Sequence, residues 1–430
     1  MSEYKFLENI SKEDFNAFAK NNIDTVKTHF LGSYEWGELS RKRNATPYYV
    51  GVEQDGEIVA TALLLEKPLI MGYTHFYCPR GFTLDYSRFD LIEFFSKEII
   101  NFCKSHKALY FKIDPDIRLR TVNIDGEVIP GESNEKLVNF LTGLGYKHRP
   151  LTYAFETMQP RFTFRIDISG TMDEIESRYS KTTLHEIRKS EESEVIAYKG
   201  SRDDISEFIR LMKMTEARQN FYSHESDYYY TFYEYLDKSG MVDIYIGKVD
   251  IDKLKKRTLE ELEHNNELKD KLEANPTRKA QKQLKEINNR LAALNKKITE
   301  LESKPSGEVV ASSYLVVKYL DKYWTLYGAN DMDYSKYFVN YAVYQKMIVD
   351  ANAQGYKVFD GFGTIGRKNM DTNAIGLYEF KKKWGGELTE FVGEFDYIIN
   401  KPVYLAYSKL IPIYHNIKLK KLKAADKANS

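Results

Sequence analysis

Apolar positions in the middle of the chain follow a heptad. Ala280, Leu284, Ile287, Leu291, Leu294, Ile298 and Leu301 succeed one another at spacings of 4, 3, 4, 3, 4 and 3, with polar residues filling most positions between. Such spacing keeps one apolar edge along a helix. Upstream, Ile251, Leu254, Leu262, Leu268 and Leu272 form a looser stripe, interrupted by Thr258 and Asn265. Asn275-Pro276-Thr277 separates the two stripes. The residue before a proline is biased away from helix, and proline suits the first turn of a new one. Two helices of about 24 residues joined by a tight turn predict an antiparallel arm roughly 36 Å long. It would occupy residues 251–304.

Elsewhere the pattern predicts a mixed α/β body in two modules. In residues 1–158, Ser11 caps a helix that begins Lys12-Glu13-Asp14-Phe15, and residues 48–52 and 57–65 read as strands around the hairpin signal Gln54-Asp55-Gly56. A strand at 74–78, an amphipathic helix at 89–104, a strand at 108–113 and a helix at 134–144 stopped by Gly145 follow. The second module, residues 159–250 and 305–400, repeats that grammar. It has a strand at 163–168, helices starting near Thr171 and Ser201, and strands at 241–248, 309–319 and 322–328. A helix at 337–352 and strands at 357–360 and 391–399 complete it. Strands flank the arm on both sides, so it reads as an insertion in a hairpin connection. Residues 401–430 remain as a C-terminal helix and basic tail.

Composition removes several classes of function. The 430 residues are 42% hydrophobic and 29% charged with a formal net charge of zero, so any basic surface must be local. Cys78 and Cys103 are too few for a disulfide framework or a cysteine-based zinc site. No apolar run approaches 18 residues, and the opening MSEYKFLENI lacks a signal peptide's apolar segment, which points to the cytoplasm. Lysines interleave with apolar residues over 418–427, a pattern read here as a solvated terminus in preference to a membrane contact.

Motifs for familiar chemistry are sparse. Gly361-Phe362-Gly363-Thr364-Ile365-Gly366 matches GxGxxG after a strand, but the polar stretch 367–373 follows it. A dinucleotide site needs a helix opening at the third glycine, so these glycines read as a loop allowing close backbone approach. No Walker motif, GxSxG elbow or HExxH occurs, and the eight histidines are scattered, so no metal site is expected. Two basic segments stand out. Thr215-Glu216-Ala217-Arg218 ends a helix ahead of Tyr228-Tyr229-Tyr230, and Phe380-Lys381-Lys382-Lys383-Trp384 sets three lysines between aromatics. Each reads either as cations at a helix C-terminus or as a phosphate- or oxyanion-binding group.

At these residues the chain resembles the Fem family of peptidoglycan bridge aminoacyltransferases. The matching segments run in order along nearly the whole chain: Ser33-Tyr34-Glu35-Trp36-Gly37, Pro79-Arg80-Gly81-Phe82-Thr83-Leu84-Asp85-Tyr86, Lys112-Ile113-Asp114-Pro115, Gln159-Pro160-Arg161 and Ile187-Arg188-Lys189. Then come Thr215-Glu216-Ala217-Arg218, Asp360-Gly361-Phe362-Gly363, Gly376-Leu377-Tyr378-Glu379-Phe380-Lys381 and Gly393-Glu394-Phe395-Asp396. The resemblance implies an α/β fold of two tandem acetyltransferase-like (GNAT) modules with a helical-hairpin arm in the second. It implies transfer of an amino acid from aminoacyl-tRNA to the side-chain amine of the stem-peptide lysine of a lipid-linked or nucleotide-linked peptidoglycan precursor. Aminoacyl-tRNA is then a co-substrate and no cofactor is needed. The setting is the cytoplasm or the inner face of the cell membrane, with a homo-oligomer or related bridge-building transferases as further partners.

The same resemblance assigns residues. Lys381 would stabilise the acyl group or the tRNA end, with Phe380 shaping its surroundings. Asp114 would orient the incoming amine, its other reading being a cap on a strand end before Pro115. Arg218 would contact the precursor's diphosphate, and Tyr327 and Trp36 would contact substrate. The family's lysine four residues after the tryptophan is Ser40 here, and Arg41 and Lys42 follow as candidates to replace it. Phe82 stands where a second proline is usual. On the arm, Lys255, Lys256, Lys279 and Lys282, with Lys253, Arg257 and Lys285, would either touch tRNA or form a solvated surface. Two rival readings stand beside it: an acyl-CoA N-acyltransferase on the same fold, and a non-catalytic coiled-coil or tRNA-binding scaffold. Whether glycine, alanine or serine is donated, and whether the acceptor is already extended, stays open.

Overall fold

Asp55 (φ 53°) and Gly56 (φ 85°) both adopt left-handed backbone, the geometry of a tight turn that matches strand twist. That turn folds Thr46–Gln54 back on Glu57–Pro68. The computed structural model describes residues 3–156, 158–219, 224–367 and 374–409. Its chain divides into two units. The first comprises Met1–Phe164, Phe362–Tyr378 and Glu387–Ser430, and the second Arg165–Gly361 and Glu379–Gly386.

In the first unit a seven-stranded sheet runs in the order Tyr4–Leu7, Thr46–Gln54, Glu57–Pro68, Thr74–Cys78, Ala108–Ile113, Phe395–Ile398, Lys147–His148. Thr74–Cys78 and Ala108–Ile113 are parallel. The helix Phe89–Ser105 connects them and buries Leu91, Ile92, Phe95, Ile99 and Cys103 in the core. Ser11 caps Lys12–Asn21 as expected, its side chain accepting from Asp14 N at 3.0 Å. The short strands Arg118–Val122 and Val128–Ser133, which local pattern did not reveal, pair with each other, and the first of them also with Glu387–Phe391.

In the second unit Val195–Lys199, Val242–Asp250, Glu308–Tyr319 and Lys322–Asn330 form an antiparallel meander. Val339–Ala353 then crosses to Val358–Thr364, which lies parallel to Lys322–Asn330. Meander, helix and parallel strand thus occur in the same order in both units, as the repeated grammar predicted. Val358–Thr364 runs through Gly361-Phe362-Gly363, so these residues are strand and not loop. Gly363 is needed because a Cβ there would come within 2.9 Å of Pro160. Most of the predicted stretch 367–373 and of the tail after residue 409 lies outside the described residues.

The arm is two helices, Ile251–Ala274 and Arg278–Glu302. It leaves Val242–Asp250 and returns to Glu308–Tyr319, which pair from Asp250↔Glu308 to Val242↔Val317, so it does interrupt a hairpin. Ala280, Leu291, Leu294 and Leu301 are buried along the second helix. On the first helix the buried positions are Ile251, Leu254, Thr258 and Asn265. Thr258 and Asn265 therefore occupy the seam instead of interrupting it. Burial is possible because each satisfies itself locally: Thr258 Oγ1 donates to Leu254 O and Asn265 Nδ2 to Glu261 O, both at 2.7 Å.

One difference from the sequence boundaries is large. Residues 387–400 were expected in the second module, yet Phe395–Ile398 pairs with Ala108–Ile113 and Lys147–His148 of the first unit. Buried Lys112 reaches across that pairing to Glu394 at 2.6 Å and Asp396 at 2.7 Å, and Arg149 lies 3.4 and 3.1 Å from the same two carboxylates. Lys112→Met would take the buried cation away from two buried carboxylates, with the half-exposed Arg149 still within reach of both. We expect it to cost about 3 kcal/mol in urea unfolding, with early loss of the pairing at Phe395–Ile398 in hydrogen exchange.

Candidate active site

Three rungs, Lys322↔Val358, Tyr323↔Phe359 and Trp324↔Asp360, make up the parallel ladder of the second unit. Both strands continue past the last rung, so their facing edges are no longer paired with each other. Nearby, Leu315 pairs with Tyr327 and Val316 with Thr325, which leaves Leu326 as an extra residue in its strand. A bulge of this kind re-aims the side chains that follow it. The parallel ladder of the first unit instead continues to Cys78↔Ile113.

Asp360, at the last rung, is buried and accepts from Arg165 Nε at 2.8 Å. Lys381 projects from the last turn of Ile375–Lys382 and is only 7% exposed. Burial pushes its ammonium down to about 7, against the opposing pull of the Asp360 carboxylate. The preceding residue, Phe380, packs edge-on against Tyr341 and Tyr344, with both centroids 5.1 Å away, and against Trp384 at 5.9 Å. Phe380 is thus one wall of an aromatic core that fixes the helix carrying Lys381. The sequence offers Asp360 only as part of a motif, without a role, and does not single out Arg165. A carboxylate inside the otherwise uncharged strand Val358–Thr364 is the available signal.

Also in the second unit, Arg218 ends Ile205–Gln219 and donates Nη1 to Asn330 O at 3.2 Å, leaving most of the side chain exposed. Tyr327 is three residues before Asn330, and its hydroxyl lies 2.9 Å from that of Tyr228. Tyr229 and Phe232 pack edge-on against its ring. Arg218 is therefore bonded to the end of the strand, Lys322–Asn330, that carries Tyr327. On the arm, Lys255 lies 3.7 Å from Glu302 and Lys256 4.0 Å from Glu260, while Lys279 and Lys282 are exposed.

The remaining predicted residues belong to the first unit. Asp114 is buried, accepting from Arg80 N at 2.7 Å on one oxygen and from Tyr77 Oη at 2.9 Å on the other. Burial lifts its carboxyl to about 7, although the Arg80 guanidinium opposes the rise. With both oxygens engaged, Asp114 anchors the turn in which Arg80 takes a φ of 59°. Trp36 lies in the helix Tyr34–Arg41 and packs edge-on against Phe30 at 5.4 Å. Arg41 donates Nε and Nη2 to Glu38 at 3.1 and 2.9 Å. Lys42 is exposed and makes no ion pair among the described residues.

A model of the FemAB family matches residues 10–411. The chain is 29% identical over 429 residues to the lipid II:glycine glycyltransferase of Staphylococcus haemolyticus, covering 96% of this chain and 97% of that protein. Against the Staphylococcus aureus (strain MRSA252) protein of the same name, identity is 26% over 426 residues, again covering 96% and 97%. The crystal structure of FemX superposes with a TM-score of 0.72 at 25% identity, covering 94% of this chain and 99% of that one.

Lysine side-chain NMR of the labelled protein should show Lys381 titrating near pH 7, and Asp360→Asn should lower that midpoint, because the carboxylate holds it up. Since the ordinary lysine value is 10.5, the unfolded chain binds this proton between about pH 7 and 10.5 while the folded chain does not. Stability should therefore rise with pH across that window, and Lys381→Met should abolish the rise in urea titrations. A Lys381 midpoint near 10 would refute the burial.

Proposed function

The chain belongs to the FemAB family, and from that membership we propose that it is an aminoacyltransferase that builds the peptidoglycan interpeptide bridge. Its donor is aminoacyl-tRNA. Its acceptor is the side-chain amine of the stem-peptide lysine on a lipid-linked precursor, or on the nucleotide-linked form, met at the inner face of the cell membrane. The observation that carries this reading is the buried Lys381 beside Asp360, next to the point where the parallel ladder ends.

The chemistry follows from the bonds that change. The acceptor amine attacks the ester carbonyl, a C–N bond forms, and the C–O bond to the terminal ribose breaks. The tetrahedral intermediate carries an oxyanion, and the attacking ammonium must first lose a proton. Lys381 in its protonated form stabilises that oxyanion inside a site of low polarity. Its midpoint near 7 also lets the neutral form exist at working pH. Arg218 offers an exposed guanidinium fork suited to two phosphate oxygens. Of the two candidates for the missing lysine, Lys42 supplies the diphosphate cation, because Arg41 is committed to Glu38. Asp114 shapes the cleft by holding the Arg80 turn. The glycyltransferase names of the relatives support glycine as the donated residue, ahead of alanine and serine.

Single-turnover transfer from tRNA charged separately with glycine, alanine or serine to a lysine-containing precursor tests the reading. Lys381→Met should reduce the rate at least about 100-fold with the circular dichroism spectrum unchanged. A near-wild-type rate would remove Lys381 from the chemistry. Arg218→Ala should raise KM for the acceptor while leaving tRNA affinity unaltered, and unaltered acceptor binding in a titration would exclude the diphosphate contact.

A further inference from the structure

The hairpin joining Glu57–Pro68 to Thr74–Cys78 ends in a run of apolar residues, Pro68-Leu69-Ile70-Met71. Its base is fixed by the Lys67↔His75 and Pro68↔Thr74 rungs and by Leu69 N donating to Tyr73 O at 2.7 Å. At the tip, Ile70 is 50% and Met71 88% exposed. Met71 is held at a φ of 58°. Consecutive exposed apolar residues contribute nothing to the core and work against solubility, so they mark a surface with a use.

Beside the tip lies an open groove of about 560 Å³ whose lining includes Tyr73, Lys104, Lys107, Asn400 and Lys401. No carboxylate lines it, and none of the three lysines makes an ion pair among the described residues. One helical turn past Lys401, Leu405 is 60% exposed. An apolar point framed by unopposed cations is the arrangement that suits a membrane interface: the side chains enter the headgroup layer while the ammonium groups meet lipid phosphates. A phosphate polymer would match the lysines and leave the apolar tip unexplained.

We propose that this face of the first unit docks on a bilayer containing anionic phospholipid, with Ile70 and Met71 entering the headgroup region and Lys104, Lys107 and Lys401 holding lipid phosphates. The docking goes beyond the transfer reaction and stands without it. The full chain is sedimented with vesicles of phosphatidylcholine alone or with phosphatidylglycerol added. Binding is expected to the anionic vesicles, at least tenfold weaker binding to the neutral ones, and weakening by salt. Ile70→Ser/Met71→Ser and Lys104→Gln/Lys107→Gln/Lys401→Gln should each lower partitioning at least tenfold, at roughly fivefold per lysine. All five positions lie at the surface, and unchanged thermal unfolding serves as the check that the variants fold. Failure of the wild-type chain to bind, equal binding to both vesicle types, or wild-type partitioning of either variant would overturn the proposal. The assay contains no acceptor or tRNA, so its outcome is separate from that of the transfer assay.

Discussion

A lysine–carboxylate contact holds together residues 282 positions apart, and a second joins the same lysine to a carboxylate two residues further on. Lys112 sits in a central strand of the first unit, and Glu394 and Asp396 arrive from near the far end of the chain. Each charge is costly to bury alone, so the cluster is stable only as a set, with Arg149 supplying the second positive charge. That requirement determines where the chain must return after Glu379–Gly386. The segment carrying Phe380 and Lys381 is therefore bounded on both sides by residues of the first unit. A local helix becomes a tethered one, and Lys381 on it stays buried.

Lys381 and Asp114 show how burial acts oppositely on the two kinds of charge. Exclusion of water pushes the lysine down and the aspartate up, and both arrive near 7. Their surroundings nevertheless separate their uses. Asp114 accepts from a backbone N–H on one oxygen and a tyrosine hydroxyl on the other, so it is held in place within the Arg80 turn. Lys381 is opposed by a carboxylate that is itself shared with Arg165, so its charge remains responsive to whatever enters the site.

Much of this architecture was legible locally. The heptad of the second arm helix, the cap at Ser11, the helix start near Thr171, the hairpin turn at Asp55-Gly56 and the repeated strand-helix grammar all depend on near neighbours. What escaped depends on partners far along the chain. Phe395–Ile398 carries no mark of which sheet it joins, because its register is set by Lys112 across the pairing. Thr258 and Asn265 looked like breaks in a stripe because composition does not say that a side chain can satisfy itself on its own helix. Gly361-Phe362-Gly363 looked like a loop because glycine signals closeness without saying to what. At the site, family resemblance picked out Lys381 and Phe380, while Asp360 and Arg165 acquired meaning only from their pairing in space.

The arm's seam has a mechanical consequence. Ile251, Leu254 and Leu301 at its base join a buried cluster with Val249, Tyr334 and Val339. Toward the tip, between Asn265 and Ala280, no residue is buried. Since Thr258 and Asn265 bond to their own helix, no side-chain hydrogen bond from them locks one helix to the other. Cohesion therefore decreases along the length. Opening is expected to start at the turn around Asn275 and to cost more toward the sheet, where Ile251, Leu254 and Leu301 are buried. The arm is a graded spring, compliant where it meets solvent and stiff where it meets the enzyme.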